Sequence, residues 1–153
     1  MFGTMLFLHL TGLILWFGAL FAIVVLLAMA RRRDVAHEAR ALVGKAVRLF
    51  GWLAHPSSIV VLVSGILMII EMDFGDTAKP LWLTYMERGG GTIILAAIVL
   101  TALFGRKAVK RLTVPESSAA AAPRAGAALP AVTVFTVLML AILSVVLVVS
   151  LRL

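Results

Sequence analysis

The residues of this chain that could bind a metal are few, and several fall near one end of the apolar segments: His9, Met5, Met86 and Glu87. Thioether and imidazole groups suit copper, and a carboxylate can complete such a site. Met5 and His9 are four residues apart, so they share one face of a helix. A copper site is one interpretation. The other, which the sequence favours, is a polar network of Glu87 with Arg88 or His9, with methionines that fill gaps.

The two histidines inside apolar segments have different surroundings. An ionisable side chain within a membrane segment is a functional candidate, but a neutral imidazole can also simply bond a neighbouring helix, and both interpretations of His9 stay open. His55 precedes Pro56, which removes a backbone donor and predicts a kink, so a structural role for both is expected. At about 1.5 Å of rise per residue the two histidines differ by roughly 20 Å in depth. They therefore cannot ligate one haem iron.

Four apolar segments must position these side chains. About 20 apolar residues in a helix cross a bilayer core of about 30 Å. Four stretches meet this requirement, at residues 5–30, 50–70, 85–104 and 131–151. They predict an all-α fold, a bundle of four transmembrane helices in one domain. Pro130 suits the first turn of the last helix, where its missing N–H costs nothing.

Small residues in the first two segments predict close helix packing. Gly18 and Gly65 are expected to let neighbouring helices approach, as small residues do in membrane bundles. His9, Gly12 and Trp16 follow the three-and-four spacing of one helix face and are expected to face protein rather than lipid.

Composition and charge support a membrane protein and give its orientation. Hydrophobic residues make up 63% of the 153 residues and charged residues 14%, far from the balance of soluble domains. The net charge of +7 comes from two basic blocks at 31–49 and 105–130, which is not the distribution of a nucleic-acid-binding face. The positive-inside rule makes these two connections cytoplasmic and places both termini outside, with a bacterial cytoplasmic membrane as the expected location. Residues 33–48 are expected on the inner membrane surface, and residues 115–129 as a flexible linker.

The first two segments resemble known membrane families. A Leu-His pair ending at His9 and a Trp-Phe-Gly-Ala stretch starting at Trp16 resemble the first helix of HemJ-type protoporphyrinogen oxidases, and Pro56 with Gly65 resembles their second. The pattern is also similar to the four-helix units of CopD-type copper-resistance proteins. The resemblance implies a haem, porphyrin or copper ligand, held by His9 with Trp16 beside it. The lysine that the HemJ pattern has after a tryptophan in the third helix is missing after Trp82, so oxidase activity is not implied.

Three functions remain as hypotheses. The first is a HemJ/CopD-like protein that binds haem, porphyrin or copper in the outer half of the bundle through His9. The second is a non-catalytic accessory subunit of a larger respiratory or photosynthetic complex, because the segments carry little charged machinery. The third is a small-molecule transporter. Expected partners are the lipid bilayer and either other membrane subunits or further copies of this chain. Because the sequence has no cysteine, thiolate metal sites and disulfides are excluded.

Overall fold

A computed structural model of the chain describes residues 1–30, 37–72, 80–112 and 129–151. They form five α-helices and one π-helical turn, with no strand within these ranges. The elements are α1 (Phe2–Ala30), α2 (His37–Glu71), α3 (Leu81–Tyr85), the π-helical turn (Met86–Gly90), α4 (Gly91–Leu112) and α5 (Leu129–Leu151).

Four spans are long and apolar enough to cross a membrane: Phe2–Ala30, Glu38–Glu71, Leu81–Lys110 and Leu129–Leu151. The predicted all-α bundle of four membrane-spanning helices is therefore confirmed. The predicted linker before residue 129 and the charges at 31–36 and 73–79 lie outside the described residues.

The four spans form a ring in which each contacts two neighbours. α1 packs against α2 and α5, and α4 packs against the same two helices. Residues of α1 at positions 16, 20, 23 and 27 are buried, and Phe135 of α5 meets them in the core. This three-and-four spacing gives one buried stripe on an otherwise lipid-facing helix. We call the end where α1 and α3 begin the terminal end, and the opposite end, where α2 and α5 begin, the loop end.

α1 and α2 approach each other closely at Gly12. A Cβ atom built there would lie 2.9 Å from Val61 Cγ2 and 3.2 Å from the carbonyl oxygen of Ser57. The stripe of His9, Gly12 and Trp16 thus faces protein, as expected. Gly18 does not have the expected role, because it is exposed and a Cβ there would meet nothing within 4 Å.

Two helices are longer than the sequence predicted. α2 begins at His37 instead of residue 50, and α4 continues to Leu112 instead of ending at 104. At about 1.5 Å per residue the 35 residues of α2 measure roughly 50 Å, well beyond a bilayer core of about 30 Å. Val47 of α2 and Ala108 of α4 are buried in the shared core, so tertiary packing extends both helices. The residues from 37 to 48 are thus part of α2 and not a separate surface segment.

The third span begins earlier than residue 85 and keeps its helix through the glycine run. Pro80 occupies the N-cap of α3, a position where its missing N–H removes no intrahelical bond. The triple glycine at 89–91 does not end the helix, because the chain passes through the π-helical turn into α4. α1 likewise begins at Phe2 instead of residue 5, and α5 begins at Leu129, with Pro130 in its first turn as predicted.

Candidate ligand-binding cavity

His9 is tied to α2 through one of its two ring nitrogens. Nδ1 lies 2.9 Å from the carbonyl oxygen of Val61 and 3.2 Å from Oγ of Ser64. A carbonyl only accepts, so Nδ1 carries the proton of the neutral ring. The Ser64 hydroxyl itself donates to the carbonyl of Val60, which leaves its oxygen as an acceptor for the same N–H. The hydrogen bonds therefore select the tautomer in which Nε2 has a free lone pair.

Gly65 has no side chain, and the His9 imidazole occupies the space beside it. A Cβ atom at this position would lie 3.2 Å from His9 Cε1 and 3.4 Å from Nδ1, closer than most side-chain contacts allow. The expected close approach at Gly65 is thus between a glycine of α2 and the His9 ring. The bond to a neighbouring helix, one of the two interpretations of His9, is present, but it uses Nδ1 alone.

A cavity of about 400 Å³ lies at the terminal end between all four spans. Its wall is almost wholly apolar, with residues such as Leu13, Leu83 and Ile94. The polar side chains in the described wall are those of His9, Glu87 and Ser150, besides the two indoles of Trp16 and Trp82. The space is thus an apolar site with a few polar groups, which is the usual composition of a small-molecule pocket.

The cavity brings together most of the predicted site residues. His9, Trp16, Met86 and Glu87 all line it, and Trp16 is only 2% exposed. Met5 does not line the cavity, although it lies one turn from His9 on α1. In the part of the chain that the structure describes, His, Cys, Asp and Glu side chains form no group of three or more that could hold a metal.

The π-helical turn forms one side of this cavity. Met86, Glu87 and Gly90 belong to the turn and line the space. A π-helical turn leaves carbonyls without their usual partner four residues on, and it often occurs at functional sites. The hydroxyl of Thr92 lies 2.8 Å from the carbonyl of Arg88, which supplies a donor there. The sequence did not predict this turn, and the glycine run at 89–91 is the one feature of the sequence that could have indicated it.

Part of the cavity wall reaches the outer surface of the bundle. Leu6 and Leu10 of α1 and Ile66 of α2 line the cavity and are also exposed on the outer surface. All three lie within membrane spans, so their exposed surface faces the acyl chains of a bilayer.

His55 and Pro56 lie away from the cavity wall. Pro56 is inside α2, and the hydroxyl groups of the two serines that follow it donate to the carbonyls of Leu53 and His55, at 2.8 and 2.7 Å. These bonds satisfy two buried hydroxyls beside the proline, in keeping with the structural role expected there. His9 bonds α2 six to nine residues beyond His55, or roughly 9–14 Å along the helix. This spacing agrees with separate environments for the two histidines.

The chain was compared with protein-family models, with curated proteins and with solved structures, and none of the three comparisons gave a match.

Proposed function

We propose that this chain binds a haem or a related porphyrin in the terminal-end cavity, with Nε2 of His9 as the ligand to the iron. The observation that carries the proposal is the distance of 2.9 Å between His9 Nδ1 and the carbonyl oxygen of Val61. Because this carbonyl accepts the Nδ1–H, Nε2 is left as a Lewis base on a residue that lines an apolar cavity. A hydrogen bond donated by the other ring nitrogen orients a metal-binding imidazole and raises its basicity.

The cavity supports a large apolar ligand better than a bare ion. Its volume of about 400 Å³ is within the range of roughly 300–1,000 Å³ for small-molecule sites. The apolar wall would contact the ring system, and the buried Trp16 belongs to that wall about two helical turns from His9.

Copper is the second candidate, because Met86 and Glu87 line the same cavity as His9. These three side chains supply the thioether, carboxylate and imidazole groups that a copper site can use. Met5, the fourth residue expected in such a site, is outside the cavity wall. A copper site would therefore have three protein ligands at most from the predicted set.

The proposal includes a location. We place the loop end, with its basic helix extensions, on the cytoplasmic side of a bacterial inner membrane, following the positive-inside rule. The terminal-end cavity then lies in the outer half of the bilayer.

The deciding experiment is an absorption spectrum with metal analysis on the gently solubilised protein, followed by titration with ferric haem and with metal-free protoporphyrin. His9→Ala is compared with His55→Ala, a histidine of α2 outside the cavity wall. Wild type and His55→Ala should give the same histidine-ligated haem band, and His9→Ala should lose it. Metal-free protoporphyrin should still bind His9→Ala, because the apolar wall is unchanged.

A second pair of variants tests the cavity itself. Ile66→Trp adds bulk at an exposed position of the cavity wall, whereas Ile70→Trp adds the same bulk one turn away, at an exposed position outside the wall. Porphyrin binding should weaken at least tenfold in the first variant and stay unchanged in the second. Bound copper that is lost in His9→Ala would favour the second candidate. A colourless, metal-free protein that takes up neither ligand would refute both, and a stoichiometric membrane partner would then support an accessory subunit.

A further inference from the structure

The loop end carries a concentrated positive charge on two packed helix extensions. Lys45 and Arg48 of α2 are exposed, as are Arg106, Lys107 and Lys110 of α4. Among the described residues of the two extensions, Glu38 is the only carboxylate. The extensions are held together by buried residues of the shared core, so these cations have fixed positions relative to each other.

Exposed apolar residues on α2 show which environment the cations of this helix meet. Leu42 and Leu49 are 67% and 65% exposed, and they lie on either side of Lys45 on one helix face. Trp52, 77% exposed, continues the same face toward the apolar span. Tryptophan is typical of the membrane interface, and leucines on both sides of a lysine would be costly in water. This face therefore lies at the level of the lipid headgroups.

The cations of α4 lie at a similar boundary. Leu95, Val99 and Leu103 form an exposed apolar stripe with a spacing of four residues, and Lys107 continues it. The Lys107 ammonium lies 6.0 Å from the centre of the Phe104 ring, so its stem folds back along the span. Long basic side chains at helix ends reach the interface in this way.

We propose that the basic extensions of α2 and α4 bind the phosphate groups of anionic lipids, with Lys45 and Arg48 as the contacts on α2. Charge complementarity selects this partner, because a phosphate between flanking acyl chains satisfies both the cations and the exposed leucines. Juxtamembrane clusters of four to eight basic residues recognise anionic lipids in the same way. The proposal does not depend on the cavity or its ligand.

The test uses Trp52 as a local reporter in a Trp82→Phe background, in which Trp16 is the other remaining tryptophan. The fluorescence of Trp16 is measured in a variant that also carries Trp52→Phe, and this signal is subtracted. The protein is reconstituted into vesicles that contain phosphatidylglycerol or phosphatidylcholine with bromine at the same acyl position, and quenching of Trp52 is measured at equal lipid fractions. Brominated phosphatidylglycerol should associate at least about fivefold more strongly, because a single cation near a charged surface contributes about 1 kcal/mol.

The variants separate charge from fold. Lys45→Gln with Arg48→Gln should reduce the preference to nearly onefold, whereas the charge-preserving pair Lys45→Arg with Arg48→Lys should retain it. Arg88→Gln, at the terminal end, should leave it unchanged. High salt should weaken the preference through screening. Equal quenching by the two lipids, or a preference that persists in the neutral pair, would overturn the proposal, and an acidic protein surface would then be the partner to seek.

Discussion

Substitution of Gly12 by alanine should destabilise the contact between α1 and α2. The added Cβ would lie 2.9 Å from Val61 Cγ2 and 3.2 Å from the Ser57 carbonyl oxygen. Valine in a helix has one strongly preferred rotamer, so Val61 cannot easily turn away, and the carbonyl belongs to the backbone. The two helices must therefore move apart, which also lengthens the bond between His9 and the Val61 carbonyl.

The magnitude follows from a matched variant on the same helix. Overpacking by one methyl group costs about 1–3 kcal/mol, and replacing a helical glycine by alanine recovers about 0.5–1 kcal/mol. Gly18→Ala should bring only the gain in helix stability, because a Cβ there would meet nothing within 4 Å. The helix contribution cancels in the comparison. We therefore expect Gly12→Ala to be less stable than Gly18→Ala by about 1–3 kcal/mol.

Reversible unfolding in mixed micelles, followed by circular dichroism, measures the free energy of unfolding of both variants under identical conditions. Gly18→Ala should be as stable as wild type or slightly more so. Equal unfolding free energies for the two alanine variants would refute the close approach at Gly12. A lower stability of Gly18→Ala would show that the two helices pack on a different face.

Three further changes test the surroundings of the cavity. Gly65→Ala should push the His9 ring from its place and weaken haem binding several-fold with little loss of helix, as measured by absorption titration beside circular dichroism; unchanged affinity would contradict the contact. Ser64→Ala should lower the free energy of unfolding by about 0.5–1.5 kcal/mol, because it removes one acceptor of His9 Nδ1–H, and haem ligation should survive on the Val61 carbonyl. Thr92→Val should speed hydrogen exchange in and next to the π-helical turn, whereas exchange in α5 should stay the same; uniform exchange rates would argue against a local role.

The number and type of helices could be predicted because lipid imposes a simple condition. Each spanning segment must be apolar for about 20 residues, whatever its neighbours are. The ends of α2 and α4 could not be predicted in the same way, since Val47 and Ala108 prolong them through contacts between distant segments. The prediction of close helix packing at Gly18 was wrong for a related reason. Gly18 lies off the stripe of His9, Gly12 and Trp16, and the rotation of α1 against α2 brings that stripe into contact.

The sequence predicted which residues belong to the site, but it did not predict the cavity that they line. His9 was identified because an ionisable group is unusual in an apolar segment, Met86 and Glu87 because their groups can bind copper, and Trp16 through the resemblance of the first segment; all four line the cavity. Its apolar wall carries no sequence signal, because a leucine that lines a cavity and one that faces lipid look the same. The tautomer of His9 also depends on a carbonyl 52 residues away.

The π-helical turn also sets the angular register of the third span. It holds one residue more than an α-helical turn, so the side chains before it are rotated by about 100° relative to an uninterrupted α-helix. Deleting one residue of the run Gly89, Gly90 and Gly91 would restore the α-helical repeat and turn Trp82 and Leu83 away from the cavity wall that they now form. A length change of one residue in this glycine run would therefore change which face of α3 lines the cavity. Such a change would alter the cavity more than most substitutions within it.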